Sequence, residues 1–324
     1  MNKNEPVRHH YVSRFLLKPF CFEGTKFNYY DKESGITSVK DIKDIFVESN
    51  FYRDDINNES EPMKLEKDLA RFEGEISSII RKFHTGYEIV VTDEEYEKLQ
   101  LFFAVMQYRG RKIKNEFSED VTDEFTEFYS NYQKDQNFND FWKRNLGYIV
   151  NCRSIKDVIN HPNIDTPMKL FLKRDTIGLL YSYYVVIERR GKEDFIVNEN
   201  YFCQIEGQLS SKFHMTLFNY YPISPQRMII RVCNGVQNAP KNVSGFKKEI
   251  LRIPHLIENT NSIKFIVKKI YEDDVKRINS DFYNDTREGI AFCNKANVSL
   301  EDYPKINKAR DDYNAFLVEQ NRKL

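Results

Sequence analysis

The sequence predicts an α+β fold, with a helical N-terminal and middle part packed against an antiparallel β-sheet region and helices returning at the C-terminus. Three observations predict it. Apolar residues recur at steps of three and four between residues 63 and 113, the spacing of one face of a helix. From residue 183 the apolar residues instead form β-branched and aromatic clusters separated by turn residues. From about residue 263 helical spacing resumes. The 324 residues are read as one domain in four parts: an N-terminal segment with a hairpin over 1–62, a helical part over 63–182, a β-rich part over 183–255 and C-terminal helices over 256–324.

Lys26–Asp31 and Gly35–Val39 flank a Lys-Glu-Ser-Gly turn and tend to alternate, which predicts a β-hairpin. A polar loop without periodicity follows from Arg53 to Pro62. Leu65, Leu69, Phe72, Ile76, Ile79, Ile80 and Phe83 define the first long helix, over 63–83. The second opens at Thr92, whose hydroxyl can cap, with Glu95 three residues on to complete a capping box. It continues through Leu99, Phe102, Phe103 and Met106 towards Ile113. Further helices are expected at 122–132, around Phe141, Trp142 and Leu146, and at 167–181, where Pro167 suits a first turn. Tyr183–Ile187, Phe195–Val197 and Met228–Val232 are expected strands. The later helices are expected at 263–270, 272–292 and 303–320.

Lys+Arg and Asp+Glu are both 49, so the global field offers nothing to attract nucleic acid, and any such binding falls to a local patch. The five cysteines are scattered without a Cys-x-x-Cys pair, which argues against a zinc ribbon or a disulfide framework. With no long apolar run, the chain is expected to be soluble, cytoplasmic and without a membrane partner, its thiols reduced. Neither a Walker motif nor Gly-x-Gly-x-x-Gly is present.

The chemistry-bearing residues lie in three places. His9 and His10 are the side chains that titrate near neutral pH, and as neighbours in an extended segment they point to opposite faces. Glu66 and Glu73 are seven residues apart, close to two helical turns, so both carboxylates leave one helix on the same side, bordering its apolar face. They either line a cleft or are boundary residues whose stems pack. The second helix ends in Gln107-Tyr108-Arg109-Gly110-Arg111-Lys112, with Gln107 and Arg109 on the shoulders of the buried stripe. Such arginines either bind a carboxylate or phosphate, or complement the helix dipole. His84, His161, His214 and His255 show no metal-ligand spacing.

His9-His10-Tyr11-Val12-x-Arg14-Phe15-x-Leu17-Lys18-x-Phe20 resembles the opening signature of the bacterial family named domain of unknown function 4238, His-Tyr-Val-Pro-x-x-Tyr-Leu-x-x-Phe, with Ser13 where the family has proline. The resemblance continues through Glu48 and Asn50-Phe51-Tyr52, Glu66, Glu73, Gln107 and the following arginines. Phe195-Ile196-Val197-Asn198-Glu199 stands where the family has Phe-Ile-Thr-Ser-Asp-x-Pro, and Tyr221-Pro222-Ile223-Ser224-Pro225 is similar to its Pro-Leu-Ser-Pro. Asn279 resembles an asparagine that opens the family's last region. The family name specifies no reaction; what the resemblance implies is His, Glu, Gln and Arg side chains drawn from distant segments into one pocket.

Two readings follow. In the first the chain is a hydrolase acting on a phosphodiester, nuclease-like, of a kind that suits an antiviral defence or toxin effector. His9, His10, Glu66, Glu73, Gln107 and Arg109 would be catalytic, Arg14, Arg111 and Asn198 would hold a nucleic-acid or nucleotide substrate, and the glutamates would orient a histidine or hold Mg²⁺. In the second the same groups form a buried polar network in a non-catalytic binding or sensor module whose partner is a protein or a small ligand. An open cleft around the histidines favours the first, and a sealed network the second.

Overall fold

The computed structural model describes residues 8–116, 138–164, 182–210, 213–234, 242–243, 246–247 and 261–308. Strand β1 (Arg8–His10) pairs antiparallel with β4 (Val47–Ser49), and between them lie helix α1 (Arg14–Leu17), a 3₁₀ turn at Lys18–Phe20 and the expected hairpin of β2 (Lys26–Asp31) and β3 (Thr37–Asp41). Gly35, at φ +68°, supplies the left-handed residue that the hairpin turn needs.

Helix α2 (Lys64–Lys82) buries Leu65, Leu69, Phe72, Ile76, Ile79 and Ile80, the face read from the sequence. After β5 (Glu88–Thr92) comes α3 (Asp93–Arg109), whose Thr92 and Glu95 form both bonds of the capping box. From Leu99 to Arg109 every residue of α3 is buried, so this half of the helix has no exposed shoulder. The reason is tertiary. One side of α3 meets α2, α5 (Phe138–Val150) and α6 (Ile155–Asn160), while its Phe103 ring stacks on Tyr184 and Tyr221 of a sheet. Helix α3 also stops earlier than its periodicity suggests: Gly110 is extended at φ −73°, ψ 160°, and α4 (Arg111–Glu116) starts anew.

The five-stranded sheet has the order β14-β6-β10-β9-β8, formed by β6 (Ser182–Arg189), β8 (Cys203–Ser210), β9 (Phe213–Pro222), β10 (Arg227–Cys233) and β14 (Lys268–Ile270). Its strands alternate between two cores. Tyr184, Val186, Tyr221 and Ile229 join the N-terminal segment and the α2–α3 helices, whereas Tyr183, Val185, Ile187, Met228 and Ile230 pack with Val275, Ile278 and Phe282 of α7 (Glu272–Asp285). A four-stranded sheet, β3-β2-β15-β7, joins the hairpin to β15 (Gly289–Phe292) and β7 (Val197–Asn198). Strands β11 (Asn242–Val243) and β12 (Phe246–Lys247) form a small ribbon, and β13 (Ser262–Ile266) pairs with β5.

Three expectations change. Residues 263–270 are strands rather than helix, because β13 and β14 find ladder partners in β5 and β6, distant in sequence. The helix expected over 272–292 ends at Asp285, and 289–292 cross to the hairpin as β15, where an added Cβ at Gly289 would collide with the Tyr30 carbonyl oxygen. Of Phe195–Val197, only Val197 enters a ladder. Helices expected at 122–132 and 167–181 lie outside the described residues, as does most of 303–320, of which 303–308 are helical. No helix among the described residues is long and apolar enough to cross a membrane.

Candidate functional site

Strand β1 sends its two histidines to opposite sides. His9 is fully buried, its ring stacked 5.8 Å from that of Tyr52, and its Nδ1 accepts the Tyr52 backbone N–H at 2.8 Å. His10 is half-buried, and its Nε2 donates to the Ile42 carbonyl at 3.0 Å. Burial lowers the His10 pKa against the opposing hydrogen bond, and the nearby Arg14 and Arg109 charges lower it further. Asn50, at φ +56°, lies in the turn that leads into Tyr52.

Arg109, only 2% exposed, joins four segments. Nε donates to the Tyr52 hydroxyl at 3.1 Å, Nη1 to Ser13 Oγ at 2.8 Å and to Glu73 Oε1 at 2.5 Å, and Nη2 to the His10 carbonyl at 2.9 Å. The Tyr52 hydroxyl returns a bond to the Arg109 carbonyl at 3.2 Å, and Ser13 Oγ donates to Glu73 at 2.7 Å. The side chain thus places four of its five N–H donors on the Tyr52 and Ser13 hydroxyls, the Glu73 carboxylate and the His10 carbonyl of the N-terminal strand. Gln107, two residues earlier on α3, is buried as well. Glu66 lies close enough for Arg109 and Glu73 to act on its charge, so the sequence-predicted pair of glutamates does meet the end of α3. Burial pushes the Glu66 carboxyl up to about 7, Arg109 opposes the shift and Glu73 adds to it, and the buried Oε2 has no hydrogen-bond partner.

A second cluster begins at Arg111. Its guanidinium lies 5.1 Å above the Tyr11 ring, donates to Glu48 at 2.8 and 3.1 Å, and pairs with Glu288, which also accepts the Tyr11 hydroxyl at 2.7 Å. Burial alone would raise the Glu48 pKa, but hydrogen bonds from Arg111 and Lys114 hold it below the usual carboxylate range. Lys112 pairs with Asp285 at 3.3 Å. The basic run Arg109, Arg111, Lys112 and Lys114 is therefore matched, cation by cation, with carboxylates.

Asn198 is fully buried and donates to the Phe282 carbonyl at 3.4 Å. Glu199 accepts the Arg287 N–H at 2.5 Å, the Glu288 N–H at 3.3 Å and the Thr286 hydroxyl, which fixes the turn that presents Glu288 to Arg111. Asn279 ties the Ile196 N–H and the Asp194 carbonyl to Tyr303, a third buried network. Arg14 is exposed on α1 and adds only its charge. Tyr52, Ser13, Tyr11 and Glu288 are not among the candidate catalytic and substrate-binding residues that the sequence offers. Ser13 announces itself as a departure from the family's proline, whereas nothing local marks Glu288, 177 residues from its arginine.

Among the described residues no group of three or more His, Cys, Asp or Glu side chains is arranged to hold a metal ion. A cleft of about 500 Å³ opens elsewhere, between α2, α3 and residues 150–153, and none of the sequence-predicted site residues lines it. No curated protein and no solved structure matches the chain. The family described as "Protein of unknown function (DUF4238)" does, over residues 8–296, from the histidine strand to the turn beyond β15, and the chain belongs to that family.

Proposed function

We propose that this chain is a non-catalytic binding or sensor module, in which the His9–Arg109 network holds the N-terminal segment on the helices and function lies in a bound protein or small ligand. One observation carries the reading: Arg109 is buried with four of its five donors bound inside the protein and His9 is sealed, whereas a catalytic arginine or histidine needs a donor or lone pair open to the substrate. The pairing of the basic run with carboxylates argues in the same direction, since it leaves little local positive field for a phosphate backbone. The test is a hydrolysis screen of the full chain on RNA, DNA and nucleotides with Mg²⁺ or Mn²⁺ supplied. The expected result is no turnover, together with a lowered melting temperature for His9→Ala.

A second reading, a phosphodiester hydrolase of the nuclease or defence-effector kind, is favoured by Glu66. A carboxyl near pKa 7 with an unpartnered oxygen is poised for general acid–base work. Turnover in the screen that Glu66→Gln abolishes, with a melting temperature no lower than that of the wild type, would establish this reading and overturn the first.

A further inference from the structure

Arg231, on the central strand β10, breaks the rule that the other buried arginines obey. Arg109 is neutralised by Glu73, and Arg227, two alternations earlier on the same strand and face, by Glu188 and by the Phe83 and Gly86 carbonyls. Arg231 is 5% exposed, its Nε has no hydrogen-bond partner, and it makes no ion pair with any described residue. An uncompensated buried cation is among the most costly groups a fold can hold. Its cross-strand neighbours share the anomaly. Tyr184 on β6 and Asn219 on β9 lie directly opposite Arg231, on the face that Phe103 of α3 roofs through Tyr184 and Tyr221. The Tyr184 hydroxyl has no partner, and Asn219 donates to Gln204 while its Oδ1 accepts nothing. One row of the sheet therefore presents an unpaired cationic donor, an unpaired hydroxyl and an unpaired amide oxygen side by side.

We propose that Arg231, Tyr184 and Asn219 form a buried binding site for a protonated phosphate group, free or as a monoester. The unpaired groups define that chemistry. Arg231 Nε–H and the Tyr184 hydroxyl donate to phosphoryl oxygens, and the guanidinium charge is neutralised. Asn219 Oδ1 is an acceptor and needs a donor from the ligand, which the P–OH of hydrogen phosphate has and sulfate, fully ionised at neutral pH, lacks. The site shares no residue with the His9–Arg109 network and stands whether or not that network is catalytic.

The experiment is thermal unfolding and titration calorimetry of the full chain with inorganic phosphate, with glycerol 3-phosphate as the monoester, and with sulfate and chloride at matched ionic strength. Phosphate is expected to raise the melting temperature by a few degrees at concentrations well above its Kd, and sulfate to raise it less. Stabilisation by glycerol 3-phosphate as well extends the site to monoesters, and stabilisation by phosphate alone assigns it to the free anion. In Arg231→Gln the phosphate shift is lost while the phosphate-free melting temperature does not fall. Should that variant fail to fold, Tyr184→Phe keeps the ring on Phe103 and is expected to weaken phosphate about fivefold, the worth of one hydrogen bond. Equal melting temperatures in phosphate and chloride, or a phosphate shift that survives in both variants, overturn the site. Equal stabilisation by sulfate overturns the role given to Asn219.

Discussion

At the scale of single residues, Arg109 and Glu66 make opposite predictions although they are neighbours. Arg109 holds four partners in a planar fork that an ammonium cannot reproduce. Arg109→Lys is therefore expected to lose about 3 kcal/mol in urea denaturation, the scale of a broken buried pair. A loss under 1 kcal/mol would show that the network contributes little. Glu66 is stabilised in its protonated form, with a folded pKa near 7 against an ordinary value of 4.5. Between those values the folded state binds the extra proton, so the contribution of Glu66 to stability is complete below the unfolded pKa and is lost as pH rises through about 7. Glu66→Gln should match the wild type near pH 4.5 and be the more stable of the two at pH 8. A constant difference between the two unfolding midpoints across this range would refute the assigned environment.

Single elements show how local chemistry sets up the site. Ser13 is the N-cap of α1 at φ −58°, the value proline would impose, so the backbone keeps the family's proline conformation while the hydroxyl joins Arg109 to Glu73. Ser13→Pro and Ser13→Ala both lose that hydroxyl, but only proline restricts the unfolded chain. Ser13→Pro should be the more stable by about 0.5 kcal/mol, and the reverse order would mean that the backbone does not tolerate the ring. At the other end of the site, the Thr92–Glu95 capping box starts α3, the helix that carries Gln107 and Arg109. Thr92→Ala is expected to cost about 1 kcal/mol in the same assay, and an unchanged midpoint would mean that tertiary packing alone holds the start of α3.

For the whole molecule, the N-terminal segment is part of the core. Tyr11, Val12, Leu16, Leu17 and Phe20 are all buried in the cluster shared with α2 and α3. At about 1.5–3 kcal/mol each, their loss is comparable to the entire stability of an ordinary domain, about 5–15 kcal/mol. Deleting residues 1–20 is accordingly expected to abolish cooperative unfolding, and a truncated chain that melts with the full one would contradict this account. The two faces of the five-stranded sheet extend the same interdependence to α7 and β15, which reach the hairpin and, through Glu288, Arg111.

What the sequence by itself determined was local. The period of α2, the capping box of α3, the hairpin turn and the opposed directions of His9 and His10 all follow from residue spacing and turn chemistry, which act over a few residues. So does the shared direction of Glu66 and Glu73. Tertiary structure decided the rest, because it depended on contacts that no local pattern encodes. Residues 263–270 became strands only because β5 and β6 offered ladders, and residues 289–292 left a helical pattern to pair with the hairpin. Arg109 became a sealed hub because the second half of α3 is enclosed on all sides, and Glu288 and Arg231 acquired their significance from partners, present in one case and missing in the other, that only a folded chain brings within reach.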